Sequence, residues 1–276
     1  MSNIFKNLFG GKGKKKAESH FDKYRAELKT ENLSTYDDLI GLVKPLIKKA
    51  TKLIVEKPSR PPENSQLKSH FGGQPYFEKN EEWPKSKTGK HLDFIFQVFN
   101  TEDNGLPDNL KLIQFYYDFE EFPWDSDSDG WLLKTYVTID EENIKMISQP
   151  SELEKSKYCE LTFKQTESLP DWEGIEVHSF NASKLSCILN EDEPWENYRK
   201  ACEDLIGELD YQSQIGGYPK WVQGESTPHK PDGEAMDLLF QIDSEENADI
   251  MWGDSGLIYV FYDKETKRTK FTLQCL

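Results

Sequence analysis

The sequence predicts an α+β chain of mostly antiparallel sheets with flanking helices, built on an internal duplication. Three observations carry this reading. Apolar runs of strand length follow one another across connections mostly too short for the crossover that parallel neighbours need. Apolar stripes with a 3.6-residue period occur in only a few places. A block of residues recurs, without a gap, 144 positions further on.

Residues 1–17 form a basic arm. Ile4, Phe5, Leu8 and Phe9 share one side of a helical turn or two, and Gly10-Gly11 and four lysines follow. Two readings stay open: weak contact with an anionic membrane surface, or a solvated terminus. Two helices come next. The first covers about Glu18 to Lys29. The second starts at a Ser34/Thr35 cap with Asp37 and Asp38 in its first turn, where their charge meets the helix dipole. Its stripe of Leu39, Leu42, Val43, Leu46 and Ile47 contains Pro45, so a kink or break is expected there. Pro58, Pro61 and Pro62 then read as a linker.

Residues 69–97 align with residues 213–241 at the 144-residue offset. The identities include Ser69/Ser213, Gly72/Gly216, Gly73/Gly217, Pro75/Pro219, Asp93/Asp237 and Gln97/Gln241. LIQFYYD at 112–118 matches LIYVFYD at 257–263 at an offset of 145. Two matched blocks in one order predict a helix–GGxP–strand–strand unit, present twice and related by a pseudo-twofold. The helix of the second unit is expected from Pro194 to Leu209, with Pro194 in its first turn. The strands are Leu92–Phe99 and Leu110–Tyr117, then Met236–Ile242 and Gly256–Tyr262. Further strand-like stretches are Trp131–Ile139, Tyr158–Phe163, Gly174–Phe180 and Thr269–Cys275. Residues 18–276 thus read as a single domain of two repeats, about 35–140 and 190–276, with a connecting region.

Charge narrows the partners. The 276-residue chain has a formal net charge of −16. Residues 1–60 carry 14 Lys+Arg against 7 Asp+Glu, so the remainder carries −23. Such a body repels phosphate backbones, which excludes nucleic acid as its partner and favours a basic protein. No run of about 20 apolar residues is present to span a bilayer as a helix. The interrupted apolar residues of the arm do not make a secretory signal, so a cytoplasmic location is expected. Cys159, Cys187, Cys202 and Cys275 are widely spaced and form no C-x-x-C pair, so neither zinc nor a disulfide framework is expected.

Candidate sites follow from residue type. The paired glycines of Gly72, Gly73 and Pro75, and of Gly216, Gly217 and Pro219, lack any phosphate-loop signature and read as turns that the fold needs. Asp125, Asp127 and Asp129, followed by Gly130, resemble the opening of a calcium loop, in which alternate oxygens converge on the ion at about 2.4 Å. The twelfth position, however, is Tyr136 rather than a glutamate. Calcium is the only cofactor this string raises, and a solvated acidic loop is the plainer reading. The histidines show no metal-ligating spacing, and a spatial pairing of Cys202 with His178 is left open. Asp118, Glu120, Glu121, Trp124, Asp125, Asp127 and Asp129 form an acidic, aromatic string, to which Trp83 and Trp252 add possible anchors for a partner. Asp93, Gln97, Asp237 and Gln241 are the alternative: a ligand cleft between the repeats, or amides tying the core together.

The segments FGGQPYF, EEWPKSKTGKHLDFIFQV, LIQFYYD, SLPDWE, QIGGYPKWVQ, DLLFQID and MWGDSGLIYVFYD, in this order, resemble the YwqG-like bacterial proteins, a domain of unknown function. The resemblance covers about residues 35–276. It implies a mixed α/β fold with an internal duplication, and it supplies no established activity from which catalytic residues could be carried over. It also implies, through gene neighbourhood, an immunity or other protein-binding role. The expected function is therefore a non-enzymatic protein-binding module that presents an acidic surface to a basic partner, such as a toxin domain. The alternative is a small-molecule binding protein or enzyme with its cleft between the repeats. The sequence leaves the oligomeric state open.

Overall fold

A computed structural model describes residues 20–154, 156–207 and 212–276. The basic arm of residues 1–17 and the end of the helix expected to reach Leu209 lie outside the described residues. Helix α1 spans His20–Thr30 and α2 spans Tyr36–Val43. At the start of α2 the Thr35 hydroxyl accepts from Asp38 N, while the Asp38 carboxylate accepts from Thr35 N at 2.8 Å. This reciprocal cap satisfies amides that the first turn leaves without partners. Pro45 ends the helix in a short 3-10 turn, Lys44–Leu46. Helices α3 (Ile175–His178), α4 (Phe180–Leu189) and α5 (Pro194–Ile206) follow much later in the chain. Gly174–Phe180, expected as a strand, is therefore largely helical. Its β-branched residues are few, and Leu169, Ile175 and Leu185 pack into a helical core with Leu28, Leu39, Val43, Tyr198 and Cys202.

Ten strands form one sheet, antiparallel throughout: β1 (Lys48–Val55), β2 (His70–Phe71), β3 (Asp93–Phe99), β4 (Leu112–Tyr117), β5 (Trp131–Tyr136), β6 (Cys159–Ser168), β7 (Gln214–Gly216), β8 (Asp237–Asp243), β9 (Leu257–Asp263) and β10 (Arg268–Gln274). Their order is β10-β9-β8-β7-β1-β6-β2-β3-β4-β5. The sheet curls until its ends approach, close to a barrel. Trp131 of β5 stacks on Phe271 of β10 at 5.0 Å, and Asp125 bridges to Thr272. The interior holds Phe96, Phe115, Phe240, Val260 and Phe271. The outer face is covered by the long connections after the GGxP turns, so β4 and β9 are buried on both faces. Strands buried on both sides read as continuous apolar runs, and these do.

Matched contacts recur at the 144- and 145-residue spacings. Phe77, Leu92, Phe94 and Tyr116 pack outside one part of the sheet, and Trp221, Met236, Leu238 and Phe261 pack outside the other. Each of β3 and β8 carries one irregularity of register, at Phe94/Phe96 and at Leu238/Phe240. Leu92 N donates to Pro84 O at 3.0 Å, and Met236 N donates to Pro228 O at 2.8 Å. Phe96 and Phe240 meet edge to face at 5.1 Å.

Candidate functional site

The paired amides are core groups. Gln97 and Gln241 are fully buried. The Gln97 carbonyl oxygen accepts from Tyr76 N at 2.9 Å and from Gln114 Nε2 at 3.2 Å, and its amide donates to Gln66 O and Lys68 O, both at 2.8 Å. Gln241 accepts from Lys220 N at 3.0 Å and donates to Gln212 O at 2.7 Å. Both side chains tie the GGxP connection to the sheet, which corrects their assignment to a ligand cleft: their polar atoms are taken up by backbone groups and, for Gln97, by the buried Gln114 amide, not by open space. Asp93 is half-buried, and burial, with the charge of Asp118, raises its carboxyl to about 6. Asp237 is exposed and lies 4.0 Å from Lys48.

The two glycine turns have left-handed backbones at all four glycines. A Cβ on Gly73 would stand 2.8 Å from the Tyr158 ring, and one on Gly217 would stand 2.6 Å from Ser168 Cβ. Only glycine allows those approaches.

The acidic string is partly buried and partly exposed. Asp118 is buried. Its Oδ1 accepts from Lys90 Nζ at 2.8 Å, Glu120 N at 2.9 Å and Glu121 N at 3.2 Å. Burial alone would raise its carboxyl, but the ammonium and the two amides outweigh burial and hold it below the ordinary range. Asp118 is thus a turn-former rather than a partner contact. Trp83 and Trp252 are also buried, each donating its indole N–H to a backbone carbonyl, so neither can anchor a partner. Trp124, by contrast, is 47% exposed, and Glu120, Glu121, Asp125 and Asp127 are exposed beside it. Two residues not singled out in the sequence join this end: Phe119 at 39% and Met251 at 62% exposed. Phe119 stacks on Trp252 at 5.7 Å, Tyr117 touches both Phe119 and Phe122, and Phe122 carries Trp124 at 5.3 Å. A buried aromatic base therefore holds an exposed aromatic rim in place.

Calcium does not fit these residues. Asp125 Oδ1 is taken by Asp127 N, Ser128 N and the Ser128 hydroxyl, all at 3.0 Å, and these bonds hold its carboxyl low. Asp129 turns away to accept from Lys87 N at 2.8 Å. Among the described residues, no group of three His, Cys, Asp or Glu side chains could hold a metal ion. The Cys202 thiol is pushed up to about 11 by burial, the opposite of what an activated nucleophile needs.

A cavity of about 760 Å³ opens on the other side of the sheet order, beside Gly216 and Gly217. One wall is the loop Gly105–Asn109, and the other comes from the starts of β1 and β8, the end of β9 and the turn after it. Asn109 Nδ2 donates to the Tyr262 hydroxyl at 3.0 Å across the gap. Of the residues the sequence singled out, Gly216, Gly217 and Asp237 line this cavity; Lys48, the loop Gly105–Asn109, Tyr262, Lys264 and Lys267 were missed because they come from separate stretches of chain.

The fold defines a class: a curled, ten-stranded antiparallel sheet with a helical side layer, an acidic aromatic end and a separate lysine-lined cleft. Within that class the chain belongs to the family described as Domain of unknown function (DUF1963), whose sequence profile matches residues 69–273. Among curated proteins no match was found. No helix among the described residues is long and apolar enough to cross a membrane.

Proposed function

We infer that this protein is a non-enzymatic binding module that takes a basic protein partner on its acidic aromatic end. The observation that carries this reading is the exposure of Phe119, Trp124 and Met251 within a setting of Glu120, Glu121, Asp125 and Asp127. Exposed aromatic and Met side chains on a rigid base are typical of anchors at interfaces. Surrounding carboxylates steer a basic partner and raise its association rate. A toxin domain is the kind of basic partner that the sequence resemblance implies.

In this reading the platform is two copies of one unit about a pseudo-twofold. Several observations support it. β7 pairs with β1 as β2 pairs with β6: Ile215 faces Thr51, and Phe71 faces Cys159. The strand before each unit therefore completes the sheet of the other, at an offset of 108 residues. At that offset Ile54 faces its own counterpart, Thr162, and at 144 residues Phe96 meets its counterpart, Phe240. A pseudo-twofold through both contacts would relate the matched hydrogen bonds of Leu92 and Met236. The copies diverge at the surface, and only one of them carries the acidic end.

The test is quantitative affinity capture with mass spectrometry, comparing the unaltered protein with Trp124→Ala and with the triple variant Glu120→Lys, Glu121→Lys, Asp127→Lys. A control carries Glu203→Lys on α5. The expected result is a basic protein whose capture falls at least about tenfold in both site variants, consistent with the loss of a single hot spot, and is unchanged in the control. If every captured protein survives both variants, the reading fails.

A further inference from the structure

The lysine-lined cavity is explained neither by the acidic end nor by the scaffold. Its volume of about 760 Å³ lies in the range of small-molecule sites, roughly 300–1,000 Å³. Comparison with the matched place in the first half shows what makes it open. There, a Cβ on Gly72 would stand 2.3 Å from the Lys157 carbonyl oxygen, and Lys157 is tied to Asp249 at 3.0 Å. At Gly216 the nearest such atom, Lys49 O, is 3.8 Å away. At its first glycine the turn is closed in one half and open in the other, while the second glycine is closely packed in both.

The side chains differ in the same sense. Phe119 and Phe122 of the first half stand, at the 145-residue offset, where Lys264 and Lys267 stand in the second. Phe122 and Lys267 even share a left-handed backbone, with φ of 48° and 59°. Phe119 lies against Trp252, whereas Lys264 and Lys267 line the cavity and make no ion pair or hydrogen bond among the described residues. Lys48 adds a third ammonium, over the Tyr218 ring at 4.4 Å and 4.0 Å from the Asp237 carboxylate. Asp108 and Asp237 also line the cavity, so its three ammoniums outnumber its carboxylates by one; in a body otherwise strongly acidic, that local positive balance beside an apolar wall suits an anion.

We propose that this cleft binds a small organic anion whose phosphate or carboxylate group lies between Lys264 and Lys267 and whose apolar part rests on Leu106 and Pro107. The Asn109–Tyr262 hydrogen bond fixes the width of the opening. Nothing in the proposal depends on the acidic end, so either reading can fail without the other.

The test is titration of the full chain with AMP, citrate and inorganic phosphate. Sodium chloride at matched ionic strength serves as the control, and amide shifts and calorimetric heat are read together. The expected result is saturable binding of AMP or citrate, with shifts at Gly105, Asn109, Gly216 and Gly217. AMP alone would identify the phosphate class, and citrate alone the carboxylate class. The double variant Lys264→Gln, Lys267→Gln, both positions being exposed, should keep the melting temperature of the unaltered protein. It should weaken binding about tenfold, the worth of two exposed charge contacts. Three outcomes overturn the proposal: no saturable shift at these amides with any probe, equal shifts with sodium chloride, or full binding by the double variant.

Discussion

Replacing Gln97 by leucine separates a scaffold amide from a ligand-facing one. The side chain is fully buried and makes four hydrogen bonds, three of them to backbone groups. Leucine fits the volume but removes all four. It leaves Tyr76 N–H without its acceptor and the Gln66 and Lys68 carbonyls without a donor. At about 1–3 kcal/mol for each of the three buried backbone groups left unsatisfied, the loss is about 3–9 kcal/mol. For a chain of this size each kcal/mol lowers the melting temperature by about 2–4 °C, so a fall of at least roughly 6 °C is expected. Gln241→Leu removes two hydrogen bonds, to Lys220 N and Gln212 O, and should cost about half as much. The assay is thermal unfolding followed by circular dichroism, with urea unfolding to check that the dependence on denaturant is unchanged. A ligand-facing glutamine on an apolar strand would lose little, or even gain stability, on becoming leucine. A Gln97→Leu protein that melts within about 2 °C of the unaltered one would refute the assignment of this amide to the scaffold.

Two further results are expected. Gly216→Ala should cost only the strain of a left-handed backbone, about 1–2 kcal/mol. Gly217→Ala adds a Cβ 2.6 Å from Ser168 Cβ and 2.9 Å from Ala50 Cβ, and overpacking of this kind costs a further 1–3 kcal/mol or so; equal urea midpoints for the two variants would contradict the packing described. Asp93→Asn should change the dependence of stability on pH. The folded carboxyl titrates near 6, above its ordinary value, so the folded state holds the extra proton and stability falls as pH rises through that window. The variant lacks this loss, so its melting temperature relative to the unaltered protein should climb between about pH 4 and pH 7 and then level off. A difference flat across that range would place Asp93 in solvent.

Some elements were legible because their cause is local. The Thr35 cap, the break at Pro45 and the start of α5 at Pro194 depend on residues within a turn of each other. The strands from 93 to 99, 112 to 117, 237 to 243 and 257 to 263 were legible because continuous apolar runs reflect burial on both faces. β1 was not legible. Its KKATKLIV follows directly on the apolar stripe of α2, and a short run of mixed character fits either period. β2 and β7 are two and three residues long and exist only because β6 and β1 pair with them. Helix α4, with Asn181, Ser183 and Ser186 in it, has modest propensity and is held by packing on α1 and α5.

The amino-acid order alone determined the antiparallel α+β character, the matched blocks and the acidic balance, because each resides in neighbouring residues or in simple counts. Tertiary structure decided which tryptophans reach solvent, that Asp118 serves a turn, and that Gly216 stands open while Gly72 is closely packed. Those outcomes depend on what the curling of the sheet brings against each residue. Residues 48, 105–109, 216–217 and 264–267 become one site only when the sheet closes on itself, and no local pattern can announce that meeting.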